Sequence, residues 1–180
     1  RLGKLTPLAI QSLRLEAVAL ELLDQSEEAL ELHHLALRRA RRARGPRHAE
    51  MVSFHRMVAS AEHRRGDLSA ALTHQHQAVR LQVEHEGLGH HRSFDALLRL
   101  ADWCTEDKSL ASEVLGKRGW RSVAQELESA ARLLSEDDAR RFIGLHGAGR
   151  LLWEEDHYAP ACELLESAAV GLQVAAGEFH

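Results

Sequence analysis

The sequence predicts an all-α protein, a right-handed superhelical solenoid of about four antiparallel helix pairs. Two observations carry that expectation. The first is a frame of small residues that recurs three times in one phase. It reads Ala29, Ala36, Gly45, His48; then Ala71, Ala78, Gly87, His90; then Ala161, Ala168, Gly177, His180. The first two copies stand 42 residues apart and the third 90 beyond the second, which leaves room for a divergent copy between them. A fixed period of this length marks a helical-repeat array, in which each helix pair has an apolar face that only a neighbouring pair can bury. The second is composition. Apolar residues make up 44% of the 180-residue chain and charged residues 28%, but aromatics only 4%. Leu and Ala supply most of the apolar content, which favours helices packed through small and straight-chain side chains over sheet.

Taken in order, the elements follow from start and stop signals. A helix is expected from about Pro7 to Leu23, because proline suits the first turn. A break at Asp24, Gln25 and Ser26 precedes a helix from Glu27 to Arg44, with acidic residues in its first turn opposing the helix dipole. Gly45-Pro46 closes the pair. Met51, Phe54, Val58, Ala59 and Ala61 fall at helical spacing in a segment running to Arg65. Gly66-Asp67 then provides a glycine turn and an acidic N-cap. Leu68, Ala71, Leu72, Ala78, Val79 and Leu81 mark the partner helix, ending near Gly87. The last pair runs from about Asp138 to Glu154, turns at Glu155-Asp156-His157, and resumes from Tyr158 to Ala176, with Pro160 in the first turn. Between Gly87 and Ser135 two arrangements are open. In one, Phe94 to Cys104 is an extra helical segment, broken at Thr105 to Lys108, and the repeat is carried by Ala111, Val114, Gly119, Trp120, Val123 and Ala130. In the other, Phe94 to Cys104 is the first helix of the pair and an insertion of about ten residues follows it. The expected repeats are thus about 6–47, 48–89, an irregular 90–135, and 136–180, all within one domain.

Several function classes drop out on composition. No run approaches the roughly 18 apolar residues of a membrane span, and no signal peptide is visible. Two cysteines, Cys104 and Cys162, make no disulfide framework, so a cytoplasmic setting is expected. The sequence opens at Arg1 without methionine and stops at His180 where a further repeat would begin, so it reads as an excerpt of a longer protein.

In the second unit, MVASAEHRRGDLSAALTHQHQAVRL carries small or turn residues at Ala59, Gly66, Leu68, Ala71 and Ala78. The first unit has Ala17, Asp24, Ala29 and Ala36 at matching places, and the last has Gly149, Tyr158, Ala161 and Ala168. This pattern resembles the tetratricopeptide repeat family. The 42-residue spacing, with EEALELHHLAL followed by GPRH, is similar to the longer repeats of the kinesin light chain type. The family's aromatic near the start of each first helix is Leu13 in the first unit and His55 in the second, which implies a looser or more polar groove.

The resemblance implies a peptide-binding concave face lined by the first helix of each pair. Its candidates are Gln11, Arg14 and Glu21 in the first unit, Ser53, Arg56, Ser60 and His63 in the second, and His146, Arg150 and Trp153 in the last. Arg14, Arg56 and Arg150 offer charge-assisted bonds to the carboxylates of an extended peptide; the plainer reading is solvated helix positions. Some family members clamp a C-terminal carboxylate with Lys and Asn, but this chain contains no Asn.

Arg38, Arg39, Arg41, Arg42, Arg44 and Arg47 form the densest charge run, at a helix C-terminus where cations oppose the dipole. Within it Arg38, Arg41 and Arg42 are candidates for a patch that meets an acidic partner. The formal net charge of −4 and the lack of accompanying aromatics argue against nucleic acid. Residues 1–92 carry 14 basic and 11 acidic side chains, whereas residues 93–180 carry 9 and 16, so head-to-tail self-association is a further option. Thirteen histidines invite a metal reading, yet no two lie four apart as a helical zinc pair requires. His48, His90 and His180 fall in inter-repeat loops, where each can cap the helix that follows. GLHGAGR at 144–150 lacks the preceding strand and the Lys-Ser/Thr pair of a phosphate loop, so its glycines are expected at close helix contacts. No nucleophile–base–acid set, cofactor or metal site emerges. The expected function is a non-catalytic protein- or peptide-binding scaffold module of a larger protein. The alternative is a ligand- or peptide-sensing regulatory domain attached to a transcription regulator, an NTPase or a protease.

Overall fold

The computed structural model describes residues 6–116, 119–154 and 156–177. Within them lie nine α-helices and no strand: α1 (Pro7–Leu22), α2 (Ser26–Arg44), α3 (Glu50–Arg65), α4 (Leu68–Glu86), α5 (His91–Glu106), α6 (Lys108–Leu115), α7 (Gly119–Arg132), α8 (Ala139–Glu154) and α9 (Tyr158–Gly177). The chain forms two compact units, Arg1–Leu81 and Gln82–His180, and the division falls inside α4.

In the first unit α1 packs on α2 and α2 on α3. The core gathers Ile10, Leu30, Leu37, Met51, Phe54, Val58 and Leu81 around Ala36, Ala40 and Ala78. The expected stops are present. Thr6 caps α1 by accepting from the Ala9 N–H at 3.2 Å, and Asp67 caps α4 by accepting from Ala70 at 3.0 Å. Gly66 ends α3 in the left-handed region, at φ 86°. The corresponding turn residues of the first and last pairs, Asp24 and Asp156, are also left-handed, both at φ 61°. A short polar side chain is the next best occupant of that region after glycine. One turn geometry therefore serves three helix pairs with two residue types. Glu155, expected beside Asp156 in the last turn, lies outside the described residues.

In the second unit α5 packs on α7, α8 packs on both, and α9 packs on α8. The helix that pairs with α5 is thus α7, and α6 is an insertion that touches each of them. Of the two arrangements open in the sequence, the second is the one adopted. Asp107 caps α6 through the Leu110 N–H at 2.9 Å, and Gly116 follows its last turn. Eight residues with Ala111 buried make α6 about two amphipathic turns, enough to mimic part of a repeat.

The six alanines of the recurring frame, Ala29, Ala36, Ala71, Ala78, Ala161 and Ala168, are all 0% exposed. They are helix contact points, not surface residues of high helix propensity. The glycines of GLHGAGR serve the same end. Gly144, Gly147 and Gly149 are buried in α8, and a Cβ on Gly144 would stand 2.6 Å from the Phe94 ring and 2.8 Å from the Ala131 Cβ.

Candidate functional site

His48 and His90 behave as capping residues. Nδ1 of His48 accepts from the Glu50 N–H at 3.2 Å, and Nδ1 of His90 accepts from Arg92 at 3.3 Å. His180, the third member of that set, lies outside the described residues.

In the first unit the groove candidates lie along α1 and α3. Gln11 is exposed, and Arg14, Ser53, Arg56, Ser60 and His63 are half-buried. The two helices are joined by side chains. The Arg14 guanidinium sits 5.4 Å from the Phe54 ring centroid, and Arg64 pairs with Glu21. Ser53 turns inward on its own helix, donating to the Glu50 carbonyl at 2.9 Å. In the second unit His146, Arg150 and Trp153 are exposed on α8. Arg150 already has an internal role, donating to Thr105 Oγ1 at 3.0 Å and lying 3.9 Å from Asp102. Trp153 meets Tyr158 edge-on across the α8–α9 turn, at 5.0 Å between centroids. Arg38, Arg41 and Arg42 are exposed on α2.

The most unusual polar feature is one the sequence did not disclose. Histidines from three successive helices meet inside the first unit. Nδ1 of His55 (α3) and Nδ1 of His74 (α4) are 3.0 Å apart, so one donates and the other accepts. The His74 ring lies 5.6 Å from that of His34 (α2), whose Nε2–H donates to Glu62 Oε1 at 3.0 Å. Glu62 is only 5% exposed, and its other oxygen lies 3.7 Å from Arg65. Beside this chain, the buried His33 donates to Glu21 at 2.9 Å. No spacing rule finds such a cluster, because His34, His55 and His74 meet only through the register of α2 on α3 and of α3 on α4. Among the described residues no group of three or more His, Cys, Asp or Glu is placed to hold a metal ion.

Burial, then the His74 ring and then Arg41, push the His55 pKa down from 6.5 to about 4. His74 is also lowered, first by burial and then by His34, with Glu62 acting the other way. The sign of the pH effect follows. Above pH 6.5 His55 is neutral in both the folded and unfolded chain, and its contribution is complete. Between pH 6.5 and about 4 the unfolded chain takes up a proton that the folded chain refuses, so stability falls as pH drops through that window. Denaturant midpoints should therefore decline over this range, and His55→Gln should flatten the decline. An unchanged pH profile in the variant would remove His55 as its source.

Two cavities stand out, one in each unit. The larger, 560 Å³, lies between α8 and α9 and is lined by Phe142, Val170, Gly171 and Val174 together with Glu136, Asp137 and Glu166. It includes none of the groove candidates. The smaller, 240 Å³, lies in the first unit and includes Arg41 and His55. Cys104, 2% exposed, has its thiol pushed up to about 12 by burial, which makes it inert as a nucleophile. Cys162 is exposed.

Comparison with solved structures gives the class. The chain superposes on the nearly identical TPR-like repeats of a Podosopora anserina protein described as a kinesin light chain. The TM-score is 0.73 with 19% identity, over 93% of this chain and 77% of that one. A variant of the same protein gives a TM-score of 0.71 with 18% identity, over 94% and 77%. BtubC (BKLC) from P. vanneervenii gives 0.60 with 15% identity, over 94% and 65%. The fold is therefore that of a tetratricopeptide-like helical-repeat solenoid. The first two of these structures carry the kinesin light chain description, the repeat type that the spacing of the alanines resembles. No family model matches the sequence, and no curated protein does.

Proposed function

We propose that this chain is a non-catalytic scaffold module of a larger protein that binds an acidic protein or peptide in the cytoplasm. The carrying observation is the helical-repeat fold, an architecture whose extended surfaces recur as binding faces. The charge distribution supports an acidic partner. Arg1–Leu81 holds 13 Lys or Arg against 9 Asp or Glu, and the exposed Arg38, Arg41 and Arg42 stand at one helix end. Three sets of positions are in play: Gln11, Arg14, Ser53, Arg56, Ser60 and His63 on α1 and α3 of the first unit, His146, Arg150 and Trp153 on α8 of the second, and the arginine run of α2. No described helix is long and apolar enough to cross a membrane.

The three sets can be separated by charge reversal. An array of acidic, neutral and basic peptides is probed with the wild-type chain, with Arg56→Glu, with Arg150→Glu, and with Arg38, Arg41 and Arg42 all changed to Glu. Acidic peptides should be retained preferentially. Reversal on the face in use should weaken binding by about tenfold or more, with an unchanged circular dichroism melt. Retention of basic over acidic peptides, or of none, would sink the proposal.

A further inference from the structure

The smaller cavity sits where the last turns of α2, the first half of α3 and the second half of α4 come together, and its walls are of two kinds. Arg41, His55 and Gln77 supply a guanidinium, an imidazole and a carboxamide, each able to donate to an anion. Met51, Leu81 and Pro46 supply an apolar surface, and Met51 is 0% exposed. No carboxylate lines the space, and Arg41 pairs with none among the described residues. Its neighbour Arg44, by contrast, is paired with Glu50. At 240 Å³ the space is below the usual range for drug-sized ligands, about 300–1,000 Å³. It suits a single short side chain or a small acid.

We propose that this cavity is a binding site for a carboxylate on a short aliphatic stem, the head held by Arg41 and His55 and the stem laid against Met51 and Leu81. The acidic side chain of a partner fits that description, and to that extent the proposal rests on the reading above. It uses Met51 and His55 of α3, not the groove candidates Ser53, Arg56 and Ser60.

Binding at this site takes up a proton. Burial, then the His74 ring and then the charge of Arg41 disfavour a proton on His55, whose Nδ1 is engaged with His74. A carboxylate bonded to Arg41 offsets that charge and supplies His55 with a counter-ion. The imidazolium then has two N–H donors, Nδ1–H for His74 and Nε2–H for the bound carboxylate. The charged and titratable groups around the pair are Arg41 and His34 from α2 and Glu62 from α3. His34 and Glu62 are bonded to each other at 3.0 Å, which leaves Arg41 as the charge that an incoming anion meets at His55. Affinity should therefore rise as pH falls.

The test follows the histidine ring resonances of the full chain by NMR during titration with butyrate, and with a capped peptide carrying one Glu and an amidated C-terminus. Each titration is run at about pH 7.5 and about pH 5.5, either side of the ordinary histidine pKa. Saturable shifts at His55 are expected, with an upward move of its titration midpoint and tighter binding at the lower pH. Arg41→Gln should weaken binding about tenfold, the scale of one charge-assisted bond, and Arg41→Lys should restore part of it. Arg41 is exposed, so these variants should keep the wild-type melt. Peptide binding identifies a partner's side chain as the source of the carboxylate, and binding of butyrate alone identifies a free small acid; both support the site. Binding of neither, or equal shifts in wild type and Arg41→Gln, overturns it. If neither probe shifts His55 while acidic peptides on the array bind wild type and Arg41→Gln alike, this site fails while the acidic-partner reading stands.

Discussion

Replacing Gly144 with valine should lower the stability of the protein by about 3 kcal/mol, although glycine is among the poorest helix formers. The reason is the room available. A first carbon at this position already meets the Phe94 ring at 2.6 Å and the Ala131 Cβ at 2.8 Å. Neither can retreat, since Phe94 is 2% exposed and Ala131 is 0% exposed. The gain in helix propensity is at most about 1 kcal/mol and cannot offset that overlap. Denaturant unfolding measures the difference. Equal stability of the variant would mean that α8 does not approach α5 and α7 as closely as described.

The second large effect is expected at the other side of the same contact. Phe94→Ala should cost about 3–5 kcal/mol, the usual range for emptying a buried aromatic site. Because the Phe94 ring and Gly144 touch, the two changes should not add. Gly144→Val combined with Phe94→Leu should be less destabilised than the sum of the single variants, since the smaller side chain gives the valine room. Strict additivity would show that the two positions do not share one contact.

Much of the fold was legible in the sequence because its strongest signal was geometric. Ala29, Ala36, Ala71, Ala78, Ala161 and Ala168 had to be small wherever two helices approach closely, and all six are fully buried. The turns were legible for a similar reason, since Asp24, Gly66 and Asp156 each tolerate a left-handed backbone. The irregular unit was harder. Asp107, Ala111 and Gly116 give α6 a cap, a buried face and a stop of its own. On local pattern α6 competes with α5 for the role of first helix, and only packing on α7 and α8 decides between them.

The site was less legible. Groove candidates were placed by residue type and resemblance, and Arg150 illustrates the difficulty: its guanidinium is already held by Thr105 and Asp102 on α5. The histidine chain left no trace in spacing, because its members are 21 and 19 residues apart and meet only through helix packing. What the sequence did show was an excess of histidine without a pattern. In a helical array the pattern lies across the helices.

The glycines of α8 also bear on the order in which the chain folds. Three of them within Ala139–Glu154 deprive that segment of about 3 kcal/mol of helix propensity relative to alanine. In isolation such a segment would hardly nucleate. It becomes a helix against the surface that α5 and α7 present, where its bare backbone is what allows the close approach. The α8 segment is thus expected to become helical only after α5 and α7 have paired, which hydrogen exchange during refolding would check.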